Sequence, residues 1–305
     1  MYYYSLNEYL KNTFGEKVYK ISLNGGFTCP NRDGTLSNKG CIFCSQGGSG
    51  EFSANPKLSI TEQIKEAEER IKAKTKCKKF IAYFQAFTNT YGEISYLKKI
   101  FTEAIKNDDI VALSIATRPD CLGEDVISLL CTLNETKPVW VELGLQSIHK
   151  STADYIRRCY NLDVYDTAVH NLRKRGINVI THIILGLPFE TREMMLETVR
   201  YAGERSDGIK LQLLHVLKDT DLQHDFENGV FRTLSLDEYI NLLCDCVETL
   251  PESVVIHRIT GDGDKKLLIS PLWSSDKKHV LNTINKVFRE RNIVQGSKRI
   301  TETIS

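Results

Sequence analysis

Along the chain, short and nearly continuous apolar runs alternate with amphipathic segments and polar turns. The runs occupy residues 19–24, 80–85, 110–117, 139–146, 177–188 and 209–217. A strand wetted on one face alternates apolar with polar positions, whereas these runs do not alternate, so both of their faces must be covered. Between them lie segments of helical period. Ser59-Ile-Thr-Glu62 is a capping box, and Ile60, Ile64, Ala67 and Ile71 follow on one stripe. Further helices are predicted over 93–106, 124–133, 151–159, 164–175 and 191–204. Strand and helix alternate about every thirty residues, the repeat of right-handed βα units on a parallel sheet. Six such units before residue 220 predict an α/β partial barrel.

The pattern then changes. Residues 219–232 read as polar loop, and Ser235-Leu-Asp-Glu238 is a second capping box opening a helix to about residue 250. A strand over 254–259 and a helix over 276–290 follow. Gly261-Asp-Gly-Asp-Lys-Lys266 lacks the third glycine of a dinucleotide fingerprint and reads as a turn. The expected organisation is a barrel over 1–218 with an α/β extension, 219–305, lying against it.

Composition narrows the class. With 305 residues, 41% hydrophobic and 26% charged, the chain can bury one large core. Met1-Tyr-Tyr-Tyr-Ser-Leu-Asn-Glu-Tyr9 has neither the basic region nor the apolar run of a signal peptide, and no apolar stretch is long enough to span a membrane. A cytoplasmic protein is expected, without a membrane partner. Nine cysteines, an odd number, point to reduced thiols and a metal site rather than a disulfide framework. A formal net charge of +1 provides no global field for nucleic acid. Local basic runs do exist, at Lys72–Lys79, Arg173–Arg175, Lys277–Lys278 and Arg289–Arg291 with Lys298–Arg299. Gathered on one face such runs hold phosphates; singly, each also reads as a solvated helix end.

The chemistry concentrates in Cys29-Pro-Asn-Arg-Asp-Gly-Thr-Leu-Ser-Asn-Lys-Gly-Cys41-Ile-Phe-Cys44, where eleven residues and then two separate the thiols. Glycine, proline, asparagine and aspartate make this a loop that can wrap its sulfurs round one centre. A closed zinc site needs four ligands. The first histidine is His149 and the next cysteine is Cys77, so the loop does not supply a fourth locally. Three thiolates suit an iron–sulfur cluster with one iron open to another ligand. A local zinc site and three reduced core cysteines are the competing readings, although the loop is too polar for core.

Thiols at this kind of spacing, after a first strand and before a series of βα repeats, resemble the radical SAM superfamily. The common pattern there has three residues and then two between its cysteines. The wider first gap here is similar to the branch holding the radical SAM domain of the Elongator catalytic subunit and its bacterial relatives. The resemblance implies a (βα)6 partial barrel open on one side, with a [4Fe–4S] cluster on Cys29, Cys41 and Cys44 and S-adenosylmethionine at the open iron. It places Phe43 over the adenine. Gln85, Thr88 and Asn89 stand where relatives bind the methionine amine through a glycine-rich backbone. Relatives contact the ribose with an acid before Thr117-Arg-Pro-Asp120, but this chain has Ala116 there, which leaves Ser114, Thr117 or Glu142. In Glu142-Leu-Gly-Leu-Gln146, Gln146 is expected to face the cofactor, Arg158 to approach its carboxylate and Gly186 to contact the adenine. His182 reads equally as a polar strand residue of the site and as a core histidine. Cys121 is the one extra thiol near the mouth; Cys244 and Cys246, two apart on a helix, diverge and cannot chelate together.

The implied activity is reductive cleavage of S-adenosylmethionine to a 5′-deoxyadenosyl radical that takes hydrogen from a substrate. The whole length resembles a bacterial subfamily similar to proteins that remodel the C5 side chain of wobble uridine, which makes tRNA the expected partner alongside an electron donor such as flavodoxin or ferredoxin. A non-catalytic iron–sulfur sensor and a small-molecule enzyme of the coproporphyrinogen oxidase type are the alternatives.

Overall fold

The computed structural model describes residues 2–48, 50–73, 75–261 and 263–299. Lys74 and Asp262, which belong to the basic run and the turn noted above, lie outside the described residues, as do Met1, Ser49 and residues 300–305.

Every apolar run forms its strand: β1 (Val18–Leu23), β2 (Lys79–Phe84), β3 (Ile110–Thr117), β4 (Val139–Gln146), β5 (Asn178–Leu185) and β6 (Gly208–Leu213). The extension adds β7 (Val216–Leu217), β8 (Val255–Arg258) and β9 (Leu268–Ser270). The main sheet has seven strands in the order β1-β2-β3-β4-β5-β6-β8. The β1–β2, β2–β3, β3–β4 and β6–β8 ladders are parallel. The strand predicted over 254–259 therefore belongs to the same sheet as the six.

The chain divides into two compact units, one comprising residues 7–144 and 158–180, the other 1–6, 145–157 and 181–305. In the first, α2 (Ile60–Lys72), α3 (Ile94–Ile105), α4 (Glu124–Asn134) and α6 (Leu162–Lys174) accompany β1–β4, together with α1 (Leu6–Phe14), which sequence periodicity had not marked. Phe84 of β2 meets Phe101 of α3 edge to face at 5.0 Å, both wholly buried. Register puts Tyr83 opposite Ser114, Ser114 opposite Trp140 and Ala116 opposite Glu142, so one face of these strands carries unusual polarity.

In the second unit, α5 (Lys150–Tyr155) is shorter than expected, and α7 (Arg192–Arg205), α9 (Leu236–Thr249) and α10 (Lys277–Glu290) follow prediction within a residue or two. Two expectations are corrected. The run over 209–217 is not one strand, because β6 ends at Leu213 and β7 leaves to pair antiparallel with β9. An apolar run carries no mark of where the chain changes sheets. The polar stretch 219–232 contains α8 (Asp221–Glu227), whose cap Thr220 accepts a bond from Gln223 N at 3.2 Å. That Thr-x-x-Gln pattern was a legible start signal.

Both predicted capping boxes are formed. At α9, Ser235 Oγ accepts from Glu238 N at 3.2 Å, while a Glu238 oxygen accepts from Ser235 N at 2.8 Å. Arg232 forks onto the same carboxylate and holds its pKa at about 2. Ser235→Ala should cost about 1 kcal/mol in urea unfolding. A loss beyond about 3 kcal/mol would mean that the cap is coupled to more than this one turn. Among the described residues, no helix is long and apolar enough to cross a membrane.

Candidate cluster and cofactor site

The loop after β1 carries Cys29, Cys41 and Cys44, all partly exposed free thiols. Local bonds shape it. Arg32 N donates to Cys29 O at 2.8 Å and Cys44 N to Cys41 O at 3.0 Å. Arg32 Nη2 donates to Cys44 O at 2.7 Å and to Ser45 O at 2.5 Å, drawing the two ends of the loop together. Gly40 sits at φ +74° with the Arg32 side chain where a Cβ would be, so a larger residue would be both strained and crowded. Asn31, wholly buried, donates from Nδ2 to Cys41 Sγ at 3.5 Å. The connection after β2 braces the loop from outside, since Thr88 N donates to Thr28 O at 3.2 Å and Phe87 N to Gly48 O at 3.0 Å.

The thiols share one electrostatic environment. Burial, then the neighbouring Cys44, pushes the Cys41 thiol up to about 12. Burial also pushes Cys44 up, opposed by Arg32, and Cys29 adds to both. The guanidinium of Arg118 works against the rise at Cys41. Arg118 is itself buried and forks onto Asp120, Nε to Oδ1 at 2.9 Å and Nη2 to Oδ2 at 2.6 Å. It lies 5.3 Å from the Tyr160 ring centroid, and Arg158 lies 4.4 Å from the same ring. The Tyr160 hydroxyl donates to Gly144 O.

These residues fit an iron–sulfur cluster by their donor chemistry. Burial raises the cost of ionising Cys41 and Cys44, a penalty that a bound metal cation relieves, and thiolates are the usual cluster anchors. Among the described residues, no three His, Cys, Asp or Glu side chains are gathered tightly enough to enclose a single ion. A cluster takes each anchor on a separate iron.

Other candidates in this unit divide into tied and open groups. Thr117 shares a bond with Thr90, Oγ1 to Oγ1 at 2.6 Å, and Thr90 Oγ1 also donates to Cys121 O at 2.5 Å. Glu142 is wholly buried, tied to Lys20 and accepting from Ser114 Oγ at 2.6 Å. Arg158 donates to Tyr160 O from Nε at 3.2 Å and from Nη2 at 3.0 Å. Asn89 donates to Ala116 O from Nδ2 at 2.8 Å, and its buried Oδ1 has no partner among the described residues. Phe43 and Gln85 are half-buried, and Thr88 is buried. The second unit holds the rest. Gln146 adopts φ +67° with a buried Oε1 that has no partner among the described residues, His182 is half-buried on β5, and Gly186 adopts φ +87° against Leu234.

Comparison with known proteins settles the family. Residues 34–202 match the Radical SAM superfamily. The chain belongs to the radical SAM superfamily. Residues 206–290 match the Radical_SAM C-terminal domain. The chain is 47% identical over 295 residues to the uncharacterized protein YtqA of Bacillus subtilis, covering 96% of this chain and 92% of that one. It is 28% identical over 170 residues to the tRNA uridine(34) acetyltransferase of Methanocaldococcus jannaschii, covering 54% of this chain and 31% of that protein. The structure of the archaeal Methanocaldococcus infernus Elp3 superposes with a TM-score of 0.71 at 18% identity, over 91% of this chain and 64% of that one. The expected radical SAM partial-barrel fold with a C-terminal extension is thereby established.

Several residues of this radical SAM chain surround the candidates without having been singled out by sequence. Asn31 and Arg32 stand between Cys29 and Cys41, and Arg118 lies inside the noted Thr117-Arg-Pro-Asp120 motif, so their positions were in view and their contacts were not. Lys20 on β1 and Tyr160 after α5 carried no signal, because each acquires its neighbours only through strand pairing or loop closure.

Proposed function

We propose that this chain is a radical SAM enzyme acting on tRNA, at the C5 side chain of wobble uridine. The observation that carries the radical chemistry is the single loop holding Cys29, Cys41 and Cys44 in mutual electrostatic contact, with Asn31 and Arg32 bonded to it. The tRNA assignment is supported by the family shared with a relative named for uridine 34 of tRNA, taken only as far as the shared region reaches.

Cys29, Cys41 and Cys44 would hold three irons of a [4Fe–4S] cluster, leaving the fourth for S-adenosylmethionine. Bound together, these groups supply a reductively generated 5′-deoxyadenosyl radical able to take hydrogen from a substrate. The protein orients and shields. Asn31 fixes the Cys41 sulfur, and Arg118, held by Asp120, offsets thiolate charge. Asn89 offers an acceptor oxygen to the cofactor's ammonium, with Gln85 and Thr88 beside it in sequence. Arg158 is assigned to its carboxylate, Thr117 to the ribose and Phe43 to the adenine, while Glu142, wholly buried and tied to Lys20 and Ser114, is assigned no direct contact. Gln146, His182 and Gly186 retain the cofactor roles that their strand positions imply. A flavodoxin- or ferredoxin-type donor would supply the electron.

The test is anaerobic reconstitution with iron and sulfide, then assay of 5′-deoxyadenosine with S-adenosylmethionine and reductant, with and without tRNA from cells lacking the protein. Product stimulated by tRNA, with a mass change confined to the wobble nucleoside, is expected. Cleavage indifferent to tRNA and no altered nucleoside would sink the substrate assignment. An intact cluster without cleavage in the presence of tRNA would leave a sensor.

A further inference from the structure

The four basic runs of the sequence fare differently in the fold. Lys72 is bonded to Glu68 at 2.9 Å and to Asp109 at 3.2 Å, Lys79 pairs with Glu16 at 3.1 Å, and Arg175 pairs with Glu124. Part of the charge of these two runs is thus answered within the protein. The C-terminal segment instead gathers several basic residues on one helix. Residues 276–299 hold seven Lys and Arg against Asp276 and Glu290, in a chain whose net charge is only +1. Lys298 turns away to Glu248 at 2.6 Å, which leaves the excess on the helix before it.

Helix α10 arranges this charge on one side. Val280, Ile284 and Phe288 form its buried stripe. Lys278, Asn282, Asn285, Lys286 and Arg289 recur at three- and four-residue steps on the opposite side, all exposed. Lys286 meets Glu290 there at 3.8 Å, but both groups are exposed and the pair holds the lysine weakly.

Helix stability accounts for Arg289, in the last turn, but not for the lysines at the other end. Asp276 caps the helix by accepting from His279 N at 3.0 Å, yet the first turn contains no acid and opens with Lys277 and Lys278, at the positive end of the helix dipole where cations are unfavourable. The face also lacks the means to enter a bilayer, because the apolar stripe is already spent on the protein's own core. Lysine and arginine interleaved with asparagine amides instead match a sugar–phosphate backbone, which accepts at its phosphates and both accepts and donates at its 2′-hydroxyls.

We propose that this face of α10 docks the backbone of structured RNA, giving the radical SAM chain a tRNA-binding surface formed by its C-terminal extension. The inference rests on the tRNA reading above and adds where the RNA is held. The residues belong to neither the cysteine loop nor the cofactor candidates.

The test compares wild type with Lys278→Glu/Lys286→Glu/Arg289→Glu, binding fluorescein-labelled bulk tRNA across a salt series. The triple variant should bind at least about tenfold more weakly near 0.1 M salt, with a log–log salt slope lower by about three, one for each phosphate no longer neutralised. Thermal unfolding of the variant should match wild type, since all three side chains are exposed. Lys98→Glu/Lys99→Glu, on exposed positions of α3, should leave binding within about twofold if the effect is local rather than one of total charge. Wild-type binding with an unchanged slope in the triple variant would overturn this inference and leave the tRNA substrate standing. A wild type that binds no tRNA would overturn both, as would binding to phosphatidylglycerol vesicles with none to tRNA.

Discussion

Cys41→Ala is expected to yield a folded protein that, after anaerobic reconstitution, lacks iron–sulfur absorption and forms 5′-deoxyadenosine only at background. Cys41 lies between the other two thiols in sequence, and its sulfur accepts from the buried Asn31 amide at 3.5 Å. Its loss would leave two of the three anchors proposed for the cluster. Cys77 offers no replacement, because it is buried with its sulfur 3.1 Å from Lys17 O and 3.2 Å from Lys79 O. Two comparisons make the result specific. Cys77→Ala should retain full iron content, losing only the packing of a small buried side chain, on the order of 1 kcal/mol. Cys121→Ala should also retain it. That thiol is pushed up to about 12 by burial and by Asp120, and it feels the charge of Cys29, so it is the one additional sulfur near enough to matter. Iron retained in Cys41→Ala but lost in Cys121→Ala would replace the proposed ligand set with one that includes the later thiol.

The second large effect concerns stability. Lys20→Met is expected to lower unfolding free energy by about 3–5 kcal/mol, because it removes the cation from a carboxylate buried on the strands. Glu142 is wholly inaccessible, and its oxygen is shared by Lys20 and by Ser114 Oγ at 2.6 Å. Lys20 Nζ donates to Ser114 Oγ at 3.3 Å and lies 4.7 Å from the Tyr83 ring centroid and 5.5 Å from that of Trp140. Removing one partner strands the other charge in a medium that solvates it poorly, whereas removing both need cost little. Lys20→Met/Glu142→Gln should therefore recover most of the loss in guanidinium unfolding. If Lys20→Met costs less than about 1 kcal/mol, or the double variant shows no recovery, the pair is not the polar anchor described here.

The fold was largely legible because its strands are buried on both faces. That requirement appears in the sequence as continuous apolar runs, and all six were located, β3 and β4 to the residue. The capping boxes at Ser59 and Ser235 were equally visible, since their bonds close within three residues. Where the reading failed, the deciding contact was distant or the pattern was silent. The end of β6 depends on a partner strand some fifty residues later, Leu217 pairing with Leu268. Helix α8 did announce itself through Thr220 and Gln223, and the polarity of the surrounding stretch masked the signal.

The site divides along the same line. Three thiols at fixed spacing on a glycine-rich loop, and the order of the βα units, are properties of covalent sequence and local conformation. They were enough to indicate the family without the fold, and they are the ground on which the metal chemistry is proposed. Which polar groups surround the sulfurs, and which candidates are already tied, was decided only by tertiary structure. Arg118 reaches the thiols from the end of β3, Lys20 meets Glu142 across four strands, and Tyr160 collects two guanidinium groups. The same holds for charge. Sequence counted four basic runs alike, and the fold paired Lys72, Lys79 and Arg175 with acids while leaving α10 a basic face, because ion pairing depends on distances that a linear charge pattern does not contain.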